Sequence, residues 1–290
     1  MTTAQATALP TRVRPRLGAR VWRAVKRRAL AAYAILVVLY LMLPIAVVIM
    51  FSFNDPAGRF NYVWNEFTFR NWLEWDAPLG LREAVITSLQ IGVLATLVAT
   101  ALGTLIAIAI VRHHFRGRGT VNLLVFLPMS TPEIVLGASL LTLFLNTTSV
   151  FELGFWTIFI AHVMFVISFV VVTVKARLIG FDRHLEEAAM DLGADEWTTF
   201  RKITLPLLAP AMLAAALLGF ALSIDDFVIT YLVAGSEQTF PVYVWGIARV
   251  SVPPQVNVVA SAIFLAAIAL ALGNVLWRYR DAKRQRRGDA

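Results

Sequence analysis

The chain has 290 residues, 59% hydrophobic and 15% charged, with a mean hydropathy of +0.72. Ordinary soluble domains average about 45–50% apolar and about 25% charged, so this composition excludes a water-soluble globule and a disordered polymer. Net charge is +8, and the absence of cysteine excludes disulfides, thiolate metal sites and a cysteine nucleophile.

In chain order, the basic stretch 20–28 comes first. Its Trp-bearing pattern fits either a short amphipathic helix on a membrane surface or a plain basic flank. Six stretches are then apolar enough to cross a bilayer, which takes about 20 residues. They are 30–53, 84–111, 121–145, 155–174, 208–233 and 256–277. Pro128, Pro132 and Glu133 interrupt the third. Loop 54–83 carries Phe60, Tyr62, Trp64, Phe67, Phe69, Trp72 and Trp75, rings that prefer the headgroup level. Loop 175–206 is about thirty residues long, far more than a turn needs, and is expected to hold two short helices. Loop 234–255 contains Pro241, Pro253 and Pro254 and is expected to be irregular.

The 26 basic residues sort by side. Eight lie in the N-terminal tail, three after span two, five after span four and six in the C-terminal tail; only Arg59, Arg70, Arg82 and Arg249 fall opposite. Positive charge stays cytoplasmic, so both termini are expected inside. The basic excess therefore flanks spans and does not indicate nucleic acid. The chain divides into a basic segment 1–29, a transmembrane domain 30–277 and a basic tail 278–290.

None of the four lysines precedes Ser or Thr, so no Walker loop cradles a nucleotide. His113, His114, His162 and His184 lack metal-ligand spacing apart from the adjacent pair. No catalytic constellation is apparent, and a transport role is the default.

Loop 175–206 carries the strongest signal. Asp182 suits a helix cap, the Ala-rich stretch 185–192 a helix, and Gly193 its C-terminal turn. Residues 197–203 suit a second helix, and Pro206 marks the start of span five. Small Ala188 and Ala189 beside a carboxylate fit a docking element, the alternative being an ordinary solvated loop. The run Glu187-Ala188-Ala189, with Gly193 after three residues and Ile203-Thr204-Leu205-Pro206 after nine more, resembles the cytoplasmic signature of the permeases of binding-protein-dependent ABC importers. Phe67-Thr68-Phe69-Arg70-Asn71-Trp72, Ser223-Ile224-Asp225-Asp226-Phe227-Val228-Ile229 and Pro254-Gln255-Val256-Asn257 are similar to segments of the spermidine/putrescine branch, although Val258 replaces that branch's usual Ala.

The resemblance implies an all-α polytopic membrane protein with six transmembrane helices, a type I ABC importer permease fold and cytoplasmic termini, placed in the bacterial cytoplasmic membrane. It implies four kinds of partner: a second homologous permease, two ATPase subunits, an extracytoplasmic substrate-binding protein and the lipid bilayer. ATP and Mg would be bound by the ATPases, with no cofactor or metal in this chain. By the same resemblance Glu187, Ala188, Ala189, Gly193, Ile203, Leu205 and Pro206 form the ATPase-coupling element.

Charge within the hydrocarbon region costs about 2.5–3.5 kcal/mol on insertion scales, so intramembrane acids call for a function. Asp225 and Asp226 lie near the outer end of span five and suit a cationic substrate; their structural alternatives are a cap on a helix break or a pair with a partner's arginine. Glu133 either lines the same path or binds freed backbone N–H groups. Trp156 and Tyr231 are either aromatic walls for an amine or interfacial anchors. The small-residue rows Ala95-Ala99-Gly103-Ala107 and Ala215-Gly219-Ser223 predict close helix contacts. The favoured reading is a polyamine permease. Alternatives are an iron or phosphonate importer, an ion-coupled secondary transporter or a membrane enzyme.

Overall fold

The computed structural model describes residues 17–147 and 152–288. They form α1 (Leu17–Phe51), β1 (Asn54–Asp55), β2 (Glu66–Phe67), α2 (Arg70–Leu73), α3 (Leu81–Arg112), α4 (Arg118–Ser130), α5 (Glu133–Asn146) and α6 (Phe155–Ile179). After these come α7 (His184–Asp191), α8 (Glu196–Thr199), a π-helical turn Phe200–Thr204, α9 (Leu205–Asp225), α10 (Val228–Val233), α11 (Phe240–Ile247) and α12 (Pro254–Gly288). Residues 1–16 of the basic segment, and the side chains of 17–27 and of the basic tail, lie outside the described residues.

Among the described residues, four helical stretches are long and apolar enough to cross a membrane: Arg28–Phe51, Leu81–Arg112, Phe155–Ile179 and Glu196–Asp225. α12 adds a shorter apolar stretch, Pro254–Leu270. The interrupted third stretch is two half-helices, α4 and α5, bent by 111°. The cause is local. Pro132 forces Thr131 out of the helical region to ψ 133°, and Pro132 has no N–H to continue the ladder. The Ser130 and Thr131 hydroxyls donate back to Leu127 O at 3.1 and 2.8 Å, which satisfies a carbonyl at the break.

The core is α3, α6 and α9, and the small rows build it. Ala95, Ala99, Gly103 and Ala107 are all buried. A Cβ on Gly103 would lie 2.7 Å from Val170 Cγ1, and one on Gly219 would lie 2.5 Å from Val166 Cγ1. Lipid tails are as apolar as the side chains, so close backbone approach and dispersion hold such helices together. α5 packs on α10 in the same way, through Gly137 against Leu232 and the Ile229 backbone. α1 is one continuous helix with exposed flanks, so the basic stretch and the first span are not separate elements.

The aromatic-rich loop folds into a clasp. Asn54 is fully buried; its Nδ2 donates to Asn61 Oδ1 (2.6 Å) and Val63 O (2.8 Å), and its Oδ1 accepts from Asn65 N (2.7 Å). Asn61 Nδ2 donates to Phe51 O (2.8 Å), and Asn71 Nδ2 to Ser52 O (3.2 Å) and Asn54 O (2.8 Å). Val252 N donates to Arg59 O (3.0 Å), and Asn61 N to Val252 O (3.2 Å), so the clasp also holds the α11–α12 link. Gly58, near its tip, has no neighbour around the position of a Cβ. Loop 234–255 is more ordered than expected: α11 forms within it because Pro241 falls in a first helical turn, where a missing N–H costs nothing.

Candidate functional site

Two regions at opposite ends of α9 gather the chemistry. At its N-terminal end, α7, α8 and the π-helical turn form the expected knob. His184 N donates to Asp182 Oδ1 (3.1 Å), starting α7. Gly193 closes it at φ +89°, with Gly193 N donating to Met190 O and Ala194 N to Ala189 O. Asp195 caps α8, accepting from Thr198 N at 3.2 Å. Hydrogen bonding by Thr198, side chain first, holds the Asp195 carboxyl below its ordinary range.

The two glutamates of α7 part ways. Glu187 is exposed, with Oε2 3.1 Å from His184 Nδ1 and Oε1 3.8 Å from Arg183 Nε. Ala188 and Gly193 are exposed beside it, Ala189 is half-buried, and Leu192 is 90% exposed. Glu186 turns inward: Oε2 is 2.9 Å from Arg112 Nη2, and Oε1 accepts from Thr204 Oγ1 at 2.6 Å. Ile203 and Leu205 are half-buried where this stretch enters α9, and Pro206 lies exposed in the first turn of α9.

At the other end, α9 stops at Asp225 and the backbone turns extended at Asp226. Asp226 is buried. Its Oδ2 accepts from Thr230 N and Thr230 Oγ1, both at 2.8 Å, and its Oδ1 from Ile229 N at 3.4 Å, so it serves the start of α10. His162 of α6, only 2% exposed, places Nε2 2.9 Å from Thr230 Oγ1 and 3.3 Å from Asp226 Oδ2, and Nδ1 2.7 Å from Ser223 Oγ. Thr230 has one hydroxyl proton and gives it to Asp226. His162 Nε2 therefore carries a proton toward Thr230 Oγ1, while Nδ1 meets the Ser223 hydroxyl. The network ties α6, α9 and α10 together at the break.

Asp225 is exposed and is the one charged residue lining a cavity of about 440 Å³, otherwise apolar, with Phe227, Phe240, Pro241, Val244 and Ile263 among its walls. The Phe227 ring lies 5.4 Å from Tyr231 and 5.2 Å from Trp245. Glu133, exposed at the start of α5, and Trp156, exposed beside Phe155 and Phe159, are not among the lining residues. Among the described residues, no group of three or more His, Asp or Glu could hold a metal ion. Sequence reasoning missed His162, Glu186, Arg112 and Thr204. A histidine flanked by apolar residues in a span was a signal for the first; the others carried none.

Residues 99–283 match the family described as "Binding-protein-dependent transport system inner membrane component". The chain belongs to this family. Among inner-membrane components of known role, it is 38% identical over 255 residues to the spermidine/putrescine transport system permease protein PotC of Escherichia coli K12, covering 86% of this chain and 93% of that protein. It is 35% identical over 264 residues to the putrescine transport system permease protein PotI of the same organism, with 86% and 92% covered. Its fold is like that of a bacterial ABC transporter involved in import of the acidic polysaccharide alginate, with a TM-score of 0.63, 18% identity and 87% and 95% covered. The MetNI methionine ABC transporter in inward-facing form gives a TM-score of 0.54 at 16% identity, covering 72% and 97%. The chain is thus a helical inner-membrane transport subunit with the permease fold of ABC importers.

Proposed function

We propose that this chain is a permease subunit of an ATP-driven importer of polyamines, spermidine or putrescine. The observation that carries the reading is the 38% identity to PotC across nearly the whole of both chains. The chain spans the membrane six times with both termini cytoplasmic, in keeping with the one-sided distribution of its basic residues. It pairs with a second, homologous permease, two ATPase subunits and an extracytoplasmic binding protein. The knob around Glu187 docks on an ATPase. Its exposed Leu192 and Trp197 supply apolar contact, and Glu187 supplies the charge.

ATP and Mg bound by the ATPases draw those subunits together. The knob moves with them, and the spans exchange inward- for outward-open arrangements. The binding protein then delivers its cargo, and hydrolysis resets the cycle. Asp225 is the acid that meets the cargo. An exposed carboxylate among aromatic rings offers an ammonium group both charge and π-face attraction. Asp226, committed to His162 and Thr230, holds the break in shape beside it.

The test is reconstitution of the complete complex in liposomes with ATP beside the ATPases. ATP-dependent accumulation of labelled spermidine or putrescine is expected. Uptake by this chain alone, indifferent to ATP, would overturn the reading in favour of an ion-coupled carrier.

A further inference from the structure

Resting on the transport reading above, a second connection joins the knob to the bundle. The first is the chain itself, which enters the knob from α6 through residues 180–183 and leaves it as α8 and the π-helical turn, running without interruption into α9. That route passes through five residues with an expanded helical turn, a geometry concentrated at functional sites. A knob held by the chain alone would have the π-helical turn and the short link 180–183 as its two hinges.

Arg112 lies at the C-terminal end of α3, which packs on both α6 and α9. Its Nη2 is 2.9 Å from Glu186 Oε2, a close ion pair although the N–H is not aimed along the hydrogen-bond direction. Its guanidinium also lies over the Phe181 ring at 5.2 Å. Glu186 spends its second oxygen on Thr204, in the π-helical turn. The side chains of Arg112 and Glu186 are only 15% and 14% exposed. The Arg112–Glu186 pair therefore gathers α3, the α6–α7 link, α7 and the base of α9 at a single point. It is the neighbour of the outward-facing Glu187, so the helix presents one acid to the bundle and one to the exterior.

We infer that Arg112 and Glu186 are positioning residues for coupling: their ion pair fixes the knob to α3, so that displacement of α7 reaches α3 as well as α9. Without it the knob swings on those two hinges, and ATP is spent with less movement of the spans.

The test uses the whole importer in liposomes, with spermidine uptake and ATP hydrolysis measured together and referred to assembled complex. The unaltered complex is the control: if it shows no ATP-driven uptake, the transport reading fails, whatever the clamp does. Arg112→Ala and Glu186→Ala should lower spermidine moved per ATP at least tenfold while hydrolysis continues. The swapped pair Arg112→Glu with Glu186→Arg should recover at least half of the ratio. The chain has no cysteine of its own, so nitroxide labels at introduced Leu105→Cys and Asp191→Cys, both exposed positions, report the α3-to-knob distance. That distance should be narrowly distributed in the unaltered background and broad with Glu186→Ala. Single variants that keep the original ratio, or a distribution that stays narrow, overturn the inference. If the single variants fail to assemble, the swapped pair decides: assembly with the ratio recovered upholds the clamp, and any other result overturns it.

Discussion

Neighbouring carboxylates at the break in α9 have opposite surroundings, and their substitutions should separate accordingly. Asp225→Asn touches an exposed side chain, so stability should change by no more than about 0.5 kcal/mol. Spermidine KM should rise about tenfold, a loss of about 1.4 kcal/mol. Unchanged KM would remove Asp225 from the path. Asp226→Asn and His162→Ala each leave buried polar groups short of a partner, which costs about 1–3 kcal/mol. Their expected signature is a lower melting temperature of the detergent-purified complex. An Asp226→Asn complex that melts like the parent while losing uptake would give Asp226 a direct role instead. Asp195 supplies a test in pH. Its carboxyl is held below the ordinary value, so the stability it gives α8 is present above about pH 3.9. That stability is lost as pH falls through the lowered folded-state value. The Thr198 amide should exchange hydrogen faster below that point, and Asp195→Ala should abolish the pH dependence.

At the scale of elements, glycines mark where helices touch. Gly103→Leu puts a branched side chain where even a Cβ lies 2.7 Å from Val170, and overpacking of this kind costs about 1–3 kcal/mol. Size-exclusion profiles and melting curves should show it, whereas Gly246→Ala, with open space around it, should behave as the parent. Gly193→Ala meets no atom, so its penalty is conformational only, about 1–2 kcal/mol for the left-handed backbone.

These elements also show what the sequence could reveal. Rows of small residues every fourth position announced that α3 and α9 would each make a close helix contact, because spacing marks the small face; that α6 is the partner of both came from the fold. Pro128 and Pro132 announced an interruption but not its 111° angle. The role of Glu186 was hidden, since its partners are 74 residues before it and 18 after it in the chain. Adjacent Glu186 and Glu187 look alike until the fold sets one inward and one outward. The same holds for Asp225 and Asp226.

At the scale of the whole molecule, the knob stands exposed at one end of α9. In the transport reading, Glu187→Arg should leave membrane insertion and the fold unchanged, because the side chain makes only exposed contacts with His184 and Arg183. It should reduce ATP-dependent uptake at least tenfold by repelling a basic site on the ATPase. Normal uptake by the variant would dissociate this acid from energy transfer.

The asparagine clasp has a practical corollary. Its strength lies in interior amides that bind the end of α1, while Gly58 projects into open space. A short epitope spliced in at Gly58 would hang from a rigid mount and leave that scaffold undisturbed. Antibody staining of intact against permeabilised spheroplasts would then report sidedness from a single insertion, and bound antibody would serve as a fiducial for imaging the assembled importer.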